Sequence, residues 1–383
     1  MSVSSIYIHW PFCKSKCPYC AFLSTPLQDG QLREAAEQRL LRDVKFSTAH
    51  TDVGCIKTLY FGGGTPSLMS AKTVYEIINY LVDKYTFADD VEITLEANPA
   101  TFDKQKAVDF KKAGVNRLSV GIQSFSDDNL RFLGRCYGAR QAFTAAEIVS
   151  EVFDNFSFDF IYGYQGQTLR DLEYDLQNAV DFGCKHISAY QLMFEENTPF
   201  YRRLQKGEIT EISEKTEVEQ YNFIENFLNE HGIKRYEISN YSVPSFESRH
   251  NLAYWHYDDY LGIGAGAHSR ITIEGRKHEI INQRNIFAWL NAADSNTVER
   301  NQALTDTEQL EEMVIMGLRL VDGVGIDKLR AKIPSALIEQ LLTRLPFLKQ
   351  QHLIYDNDAK IQLTNEGLLK LNSVVEYLLG TFE

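Results

Sequence analysis

At 383 residues the chain exceeds the size at which single hydrophobic cores usually stop growing, and its 44% hydrophobic and 12% aromatic content supplies ample material for two domains. Its 39 Lys and Arg against 52 Asp and Glu leave a net charge of −13 and no basic run, which argues against a nucleic-acid partner because phosphate-backbone binding rests on basic patches. No apolar stretch approaches the about 18 residues of a membrane span, and the start lacks the basic region of a signal peptide, so a cytoplasmic protein is expected.

The run IYIHW (6–10) predicts a first strand, and it leads directly into CKSKCPYC, which sets Cys13, Cys17 and Cys20 at C-x3-C-x2-C spacing. Disulfides are uncommon in the cytoplasm, so clustered cysteines there point to metal or redox chemistry. Three thiolates on one short loop can close on zinc, with His9 as a fourth ligand. They can equally hold an iron–sulfur cube and leave one iron open for a substrate or cofactor. Cys55, Cys136 and Cys184 stand apart and read as free thiols.

A second strand, IKTLYFGG (56–63), runs into GGGTP, where Gly63, Gly64 and Thr65 form a loop whose backbone a ligand can approach closely. The spacing of AKTVYEIINYLVDKY (71–85) predicts an amphipathic helix. Further strands are expected at EITLEANP (92–99), RLSVGIQS (117–124), FSFDFIYG (156–163) and HISAYQL (186–192). Nearly continuous apolar strands alternating with helices are those of parallel βα units, wound either as a barrel or as an open sheet. In both arrangements ligands bind at the C-terminal strand ends. The cysteines, the glycine loop, Glu96, Asn98 and Gln123 all fall there, which predicts one composite site.

Beyond about 240 the texture changes, and YSVPSFESRHNLAYWHYDDYLGIGAGAHS reads as packed, irregular connection. Helical spacing in HNLAYW puts His250 with Tyr254 and Asn251 with Trp255 on one face. GIGAGAH lacks the G-x-G-x-x-G spacing of a dinucleotide site and reads as a tight strand-end turn. From about 305, DTEQLEEMVIMGLRLVDG has a capped start and a glycine stop. Short helices, a strand pair around LIYDNDAKIQLT and a last helix, EGLLKLNSVVEYLL, suggest a small winged-helix-like unit with no basic recognition face. The expected division is 1–240, 241–304 and 305–383.

The cysteine motif behind a first strand, with Tyr19 before the last cysteine, resembles that of the radical S-adenosylmethionine (SAM) enzymes, and the resemblance covers essentially the whole chain. It implies an α/β fold, a partial (β/α)6 TIM-like barrel with a smaller C-terminal helical domain. It also implies a [4Fe–4S] cluster on Cys13, Cys17 and Cys20 whose open iron is chelated by SAM. The implied SAM contacts are Tyr7, Tyr19, Gly63, Gly64, Thr65, Glu96, Gln123, Arg135, Asp159, Met193 and His268. Carboxylates accept from ammonium and ribose hydroxyls, and an arginine forks onto the methionyl carboxylate.

Three stretches narrow the resemblance to the oxygen-independent coproporphyrinogen III oxidase family: YIHWPFCKSKCPYCAF, YEISNYSVPSFESRHNLAYW (236–255) and YLGIGAGAHS (260–269). True oxidases of this family carry C-x3-C-x2-C-x-C behind a longer N-terminal segment. The HemW-type heme chaperones have Phe at the last position, begin close to the motif and contain H-N-x-x-Y-W. Here Phe22 follows, the motif starts at Cys13, and HNLAYW spans His250 to Trp255. The resemblance therefore implies a chaperone that binds heme and transfers it to an acceptor hemoprotein, with His250 either a heme contact or a hydrogen-bonded structural histidine beside core aromatics. A reductant such as flavodoxin or ferredoxin and peripheral membrane contact during heme delivery are further expectations. The alternatives are the oxidase itself, which oxidatively decarboxylates coproporphyrinogen III propionates, and a zinc-stabilised interaction protein. Two departures count against substrate roles for their loops: Tyr137 where the branch often has His, and Tyr164-Gln165 where it often has Leu-Pro.

Overall fold

Six parallel strands lie side by side in strict chain order: β1 (Val3–Trp10), β2 (Val53–Gly63), β3 (Phe87–Ala97), β4 (Arg117–Gln123), β5 (Phe156–Tyr162) and β6 (His186–Gln191). The structure is a computed structural model and describes residues 2–380. A doubly wound sheet reverses its strand order at a switch point. An unreversed order winds one way, as a barrel does. The choice left open between barrel and open wound sheet thus falls to a partial barrel.

The central stretch of each parallel strand is buried on both faces, which is why it reads as a nearly continuous apolar run. In β4 the pleat sends Ser119, Gly121 and Gln123 inward to a cavity, while Leu118, Val120 and Ile122 point the other way and are fully buried. The connecting helices are α1 (Gly30–Ala49), α2 (Ala71–Lys84), α3 (Lys104–Lys112), α4 (Ala139–Val152) and α5 (Leu169–Asp181), followed after β6 by α6 (Glu214–Glu230). Asp29, Ser70, Asp103, Thr168 and Ser213 each cap a helix by accepting from the backbone N–H three residues on.

Both edges of the parallel set are extended. Beyond β6 lie β8 (Asn240–Ser242) and then β7 (Lys234–Glu237), both antiparallel additions. Beyond β1 lies β9 (Tyr260–Ile263), parallel to it, and then β10 (His268–Ile273), β11 (Arg276–Asn282) and β12 (Val298–Ala303) as an antiparallel meander. The finished sheet has twelve strands. The segment expected to be irregular after about 240 keeps much of that character, but it also supplies the strands β8 to β12 and the helix α7 (Arg249–Trp255). Its strands are three to seven residues long and carry Arg, His, Lys and Gly, so they lack the apolar periodicity that marks a strand in sequence.

The C-terminal part starts with α8 (Asp306–Gly317), closed by a reciprocal Thr305–Glu308 capping box. It builds its own apolar cluster from Leu310, Met313, Val314, Leu341 and Val374, distinct from the barrel core. The strand pair expected within LIYDNDAKIQLT is reduced to one bridge, Ile354 to Leu363, and Lys360–Ile361 instead pairs with the upstream Val324–Gly325. Among the described residues no helix is long and apolar enough to cross a membrane.

Candidate cofactor site

A cavity of about 430 Å³ opens at the C-terminal ends of the parallel strands. Cys13, Cys17, Cys20 and Tyr19 line one part of it. Gly63, Gly64, Thr65, Glu96, Gln123, Arg135, Asp159 and Met193 line the rest. The composite site expected from strand-end chemistry is a single space.

The cysteine loop is pinned at both ends. Phe12–Cys13 pairs with Thr25–Pro26, with Thr25 N donating to Pro11 O (3.0 Å) and Leu27 N to Cys13 O (2.9 Å). Inside the loop Cys20 N donates to Cys17 O (3.1 Å). Burial pushes the Cys13 and Cys20 thiols above their ordinary value. Metal coordination takes the thiolate form, so loading such a loop releases protons. Arg135 adds positive charge, its Nη1 lying 3.1 Å from Cys17 Sγ and donating to Tyr19 OH at 2.9 Å.

The glycine loop is required by how closely β2 ends against β1. A Cβ on Gly63 (φ 115°) would stand 2.7 Å from the His9 ring, and one on Gly64 would stand 2.5 Å from Phe12 O. Gly63 N donates to Glu96 Oε2 (3.0 Å), Gly64 N to Trp10 O (2.7 Å) and Thr65 N to Phe12 O (2.8 Å). An ammonium ligand donates, so the loop can serve it through its carbonyl oxygens and the Thr65 hydroxyl.

Two buried carboxyls face the cavity. Glu96 accepts from Tyr60 OH (2.9 Å) and Gly63 N, and burial pushes it up to about 7 against those two bonds. Asp159 accepts from Ser119 Oγ at 3.0 and 3.1 Å, and burial pushes it up to about 6. Both therefore titrate near neutrality, and a cationic ligand would draw them into the charged form. Gln123 sits in the left-handed region (φ 64°), a backbone strain of about 1–3 kcal/mol that clusters at functional sites.

This donor set fits an iron–sulfur cube with a bound sulfonium amino acid: three thiols on one side, and carboxyls, carbonyls and a guanidinium around the rest. It does not fit a zinc site completed by His9. That ring is buried with Nδ1 bonded to Tyr7 OH (3.0 Å) and Nε2 to Leu23 O (2.9 Å). Among the described residues no three His, Cys, Asp or Glu side chains converge as ligands of one ion. A cube takes one thiolate per iron and needs no such convergence.

Three residues expected at the site lie outside the cavity wall. Tyr7 sits behind Gly62 and stacks on Tyr60, 6.1 Å between centroids, because its pleat position faces the barrel interior below the ligand layer. His268 opens β10 beyond the turn, paired with Ile281, and its side chain is exposed. His250 is fully buried on α7, its Nδ1 bonded to Thr58 Oγ1 (2.7 Å) and its Nε2 to Tyr254 OH (2.8 Å). Its ring stacks on Tyr60 at 4.9 Å, and burial pushes it down to about 3, so it is neutral. So placed, it has no nitrogen left for heme iron, and it braces the tyrosine that holds Glu96.

Tyr137 is buried, with its OH donating to Gly121 O (2.6 Å) and accepting from Arg135 Nε (3.1 Å), so it orients Arg135. Tyr164 is buried and stacks on Phe132. Sequence reasoning missed Tyr60, Ser119 and Tyr190 as cavity residues. For Ser119 a signal existed: Ser119, Gly121 and Gln123 are the small or polar positions of a period-two strand.

Fold and site together define a radical SAM protein. The radical SAM superfamily matches residues 7–179 and the HemN C-terminal domain matches residues 304–369. The coproporphyrinogen III oxidase HemN from Escherichia coli, a radical SAM enzyme, shares the fold with a TM-score of 0.83 at 19% identity, over 99% of this chain and 90% of that one. Heme chaperone HemW of Bacillus subtilis is 34% identical over 383 residues, 99% of this chain and 100% of that protein. HemW of Escherichia coli is 32% identical over 98% of both chains. The chain belongs to the HemW heme chaperone family. The superfamily's cofactors, a [4Fe–4S] cluster and SAM, are accordingly its own.

Proposed function

We propose that this chain is a heme chaperone that holds a SAM-ligated [4Fe–4S] cluster, binds heme and passes it to an acceptor hemoprotein. The observation that carries the reading is Phe22. It stands where the oxidases have a further cysteine, in a chain similar from end to end to proteins named heme chaperone HemW. Cys13, Cys17 and Cys20 hold three irons of the cluster. The Gly63–Thr65 carbonyls and Glu96 receive the methionyl ammonium, Arg135 receives the carboxylate, and Asp159 and Gln123 receive the ribose. Bound there, cluster and SAM supply the superfamily's one-electron chemistry. A flavodoxin or ferredoxin serves as reductant, the protein works in the cytoplasm, and delivery includes peripheral membrane contact.

Anaerobic reconstitution tests the first half. It should give about four iron and four sulfide per chain, whereas stoichiometric zinc without sulfide would refute it. Incubation of the loaded protein with SAM, reductant and coproporphyrinogen III should leave the porphyrinogen unchanged. Its conversion to vinyl products would make the chain an oxidase.

A further inference from the structure

The two most exposed large apolar side chains among those described are Phe22, 69% exposed, and Met193, 66% exposed. Single exposed apolar residues are ordinary on a protein surface. These two line the same cavity, together with the Tyr190 ring, itself 43% exposed. They reach it from opposite ends of the parallel strand set, Phe22 on the loop after β1 and Met193 on the loop after β6. The mouth of a cofactor cavity thus presents an aromatic plate and a thioether to solvent.

Charge divides the same mouth. The cysteine loop carries two exposed lysines: Lys16, which lines the cavity and donates from Nζ to Phe22 O (3.1 Å) and Ser24 O (3.2 Å), and Lys14, just outside the wall, which donates to Ala100 O (3.4 Å). These ammonium groups bond carbonyl oxygens and keep their charge available to an anion. On the other side Met193 is followed by Glu195 and Glu196, and Glu195 lines the cavity. A ligand suited to this rim is flat and apolar, carries a metal that accepts a thioether, and has its anionic groups along one edge.

We infer that heme lies across the cavity mouth, one face against Phe22, its iron ligated by the Met193 sulfur and its propionates turned toward Lys14 and Lys16. The inference rests on the chaperone reading for the identity of the cargo. Methionine is an established axial ligand of heme iron. Its unbranched, flexible side chain can swing with the cargo. A single exposed ligand also suits a protein that must surrender heme to an acceptor. His250, buried with both nitrogens bonded, offers neither access nor release. A heme seated here covers the SAM cavity, so the two ligands are energetically coupled.

The test is heme titration of the reconstituted full-length protein, followed by visible absorption and low-temperature electron paramagnetic resonance. The wild-type ferric complex should show the far-red thioether-to-iron charge-transfer band. Met193→Leu should abolish the band and weaken heme binding by about threefold or more, since the iron ligand is lost and only the apolar contact is kept. Lys14→Glu combined with Lys16→Glu should weaken binding by about tenfold or more, with the difference shrinking at high salt. All three substituted side chains are exposed, so folding is not at stake. Heme bound without the band, or a band that survives Met193→Leu, would overturn this ligand assignment and leave the chaperone reading standing. A wild-type protein that binds no heme would overturn the chaperone reading itself.

Discussion

Replacing His250 with alanine separates two roles for this residue. The ring bonds Thr58 Oγ1 at 2.7 Å and Tyr254 OH at 2.8 Å, and it stacks on Tyr60 at 4.9 Å. Each hydroxyl left without its partner costs about 1–3 kcal/mol. Truncating a buried ring to alanine costs about 3–5 kcal/mol through lost contacts and the residual void. The two effects overlap, and a loss of about 4 kcal/mol is expected in denaturant unfolding. Its sign with pH is also fixed. The folded ring titrates at about 3 and an unfolded histidine at about 6.5, so between these values the unfolded chain binds the extra proton. Wild-type stability therefore carries a decrease of up to about 1.4 kcal/mol per pH unit on acidification across that window, a component His250→Ala lacks. In the variant Tyr60 loosens, Glu96 loses its oriented partner and SAM binding weakens by about tenfold, whereas heme binding persists. A variant that loses less than about 1 kcal/mol of stability yet no longer binds heme would refute this reasoning.

SAM affinity should rise from pH 5 to about 7 and then level off, because Glu96, raised to about 7 in the free protein, must shed its proton to meet an ammonium. Calorimetry in buffers of different ionisation enthalpy should show proton release on binding at pH 6, and Glu96→Gln should remove most of it. Gly64→Ala places a Cβ 2.5 Å from Phe12 O and should cost at least tenfold in SAM affinity, read by equilibrium dialysis. Serine at Cys13, Cys17 or Cys20 should each prevent a stable cube. Serine at the exposed Cys55 or Cys136, neither of which lines the cavity, should leave iron and sulfide content unchanged.

The six parallel strands were legible because burial on both faces leaves a nearly unbroken apolar run, and polar residues at the end of such a run are conspicuous. Cys13, Glu96 and Gln123 stood out for that reason, Asp159 entered only through the family resemblance, and the structure gathers them with Gly63 around one cavity. The short strands after residue 240 were not legible. They pair along a sheet edge, where backbone bonding rather than side-chain burial decides conformation. Tyr7 and His250 carry chemistry-bearing groups but sit in a layer beneath the cavity, and linear spacing does not report depth. Whether an imidazole's two nitrogens are free or bonded depends on residues as distant in sequence as Thr58. Met193 was expected only as a SAM contact, and its exposure at the cavity mouth that Phe22 also lines is not written in the linear sequence.

The most direct test of the central reading is a heme-transfer assay. Reconstituted protein loaded with heme is mixed anaerobically with an apo-hemoprotein, and the acceptor's spectrum and activity are followed with and without SAM. A chaperone should donate its heme stoichiometrically and emerge with cluster intact, without consuming coproporphyrinogen III in a parallel incubation. Retention of heme by the donor together with SAM-dependent decarboxylation of the porphyrinogen would contradict the account.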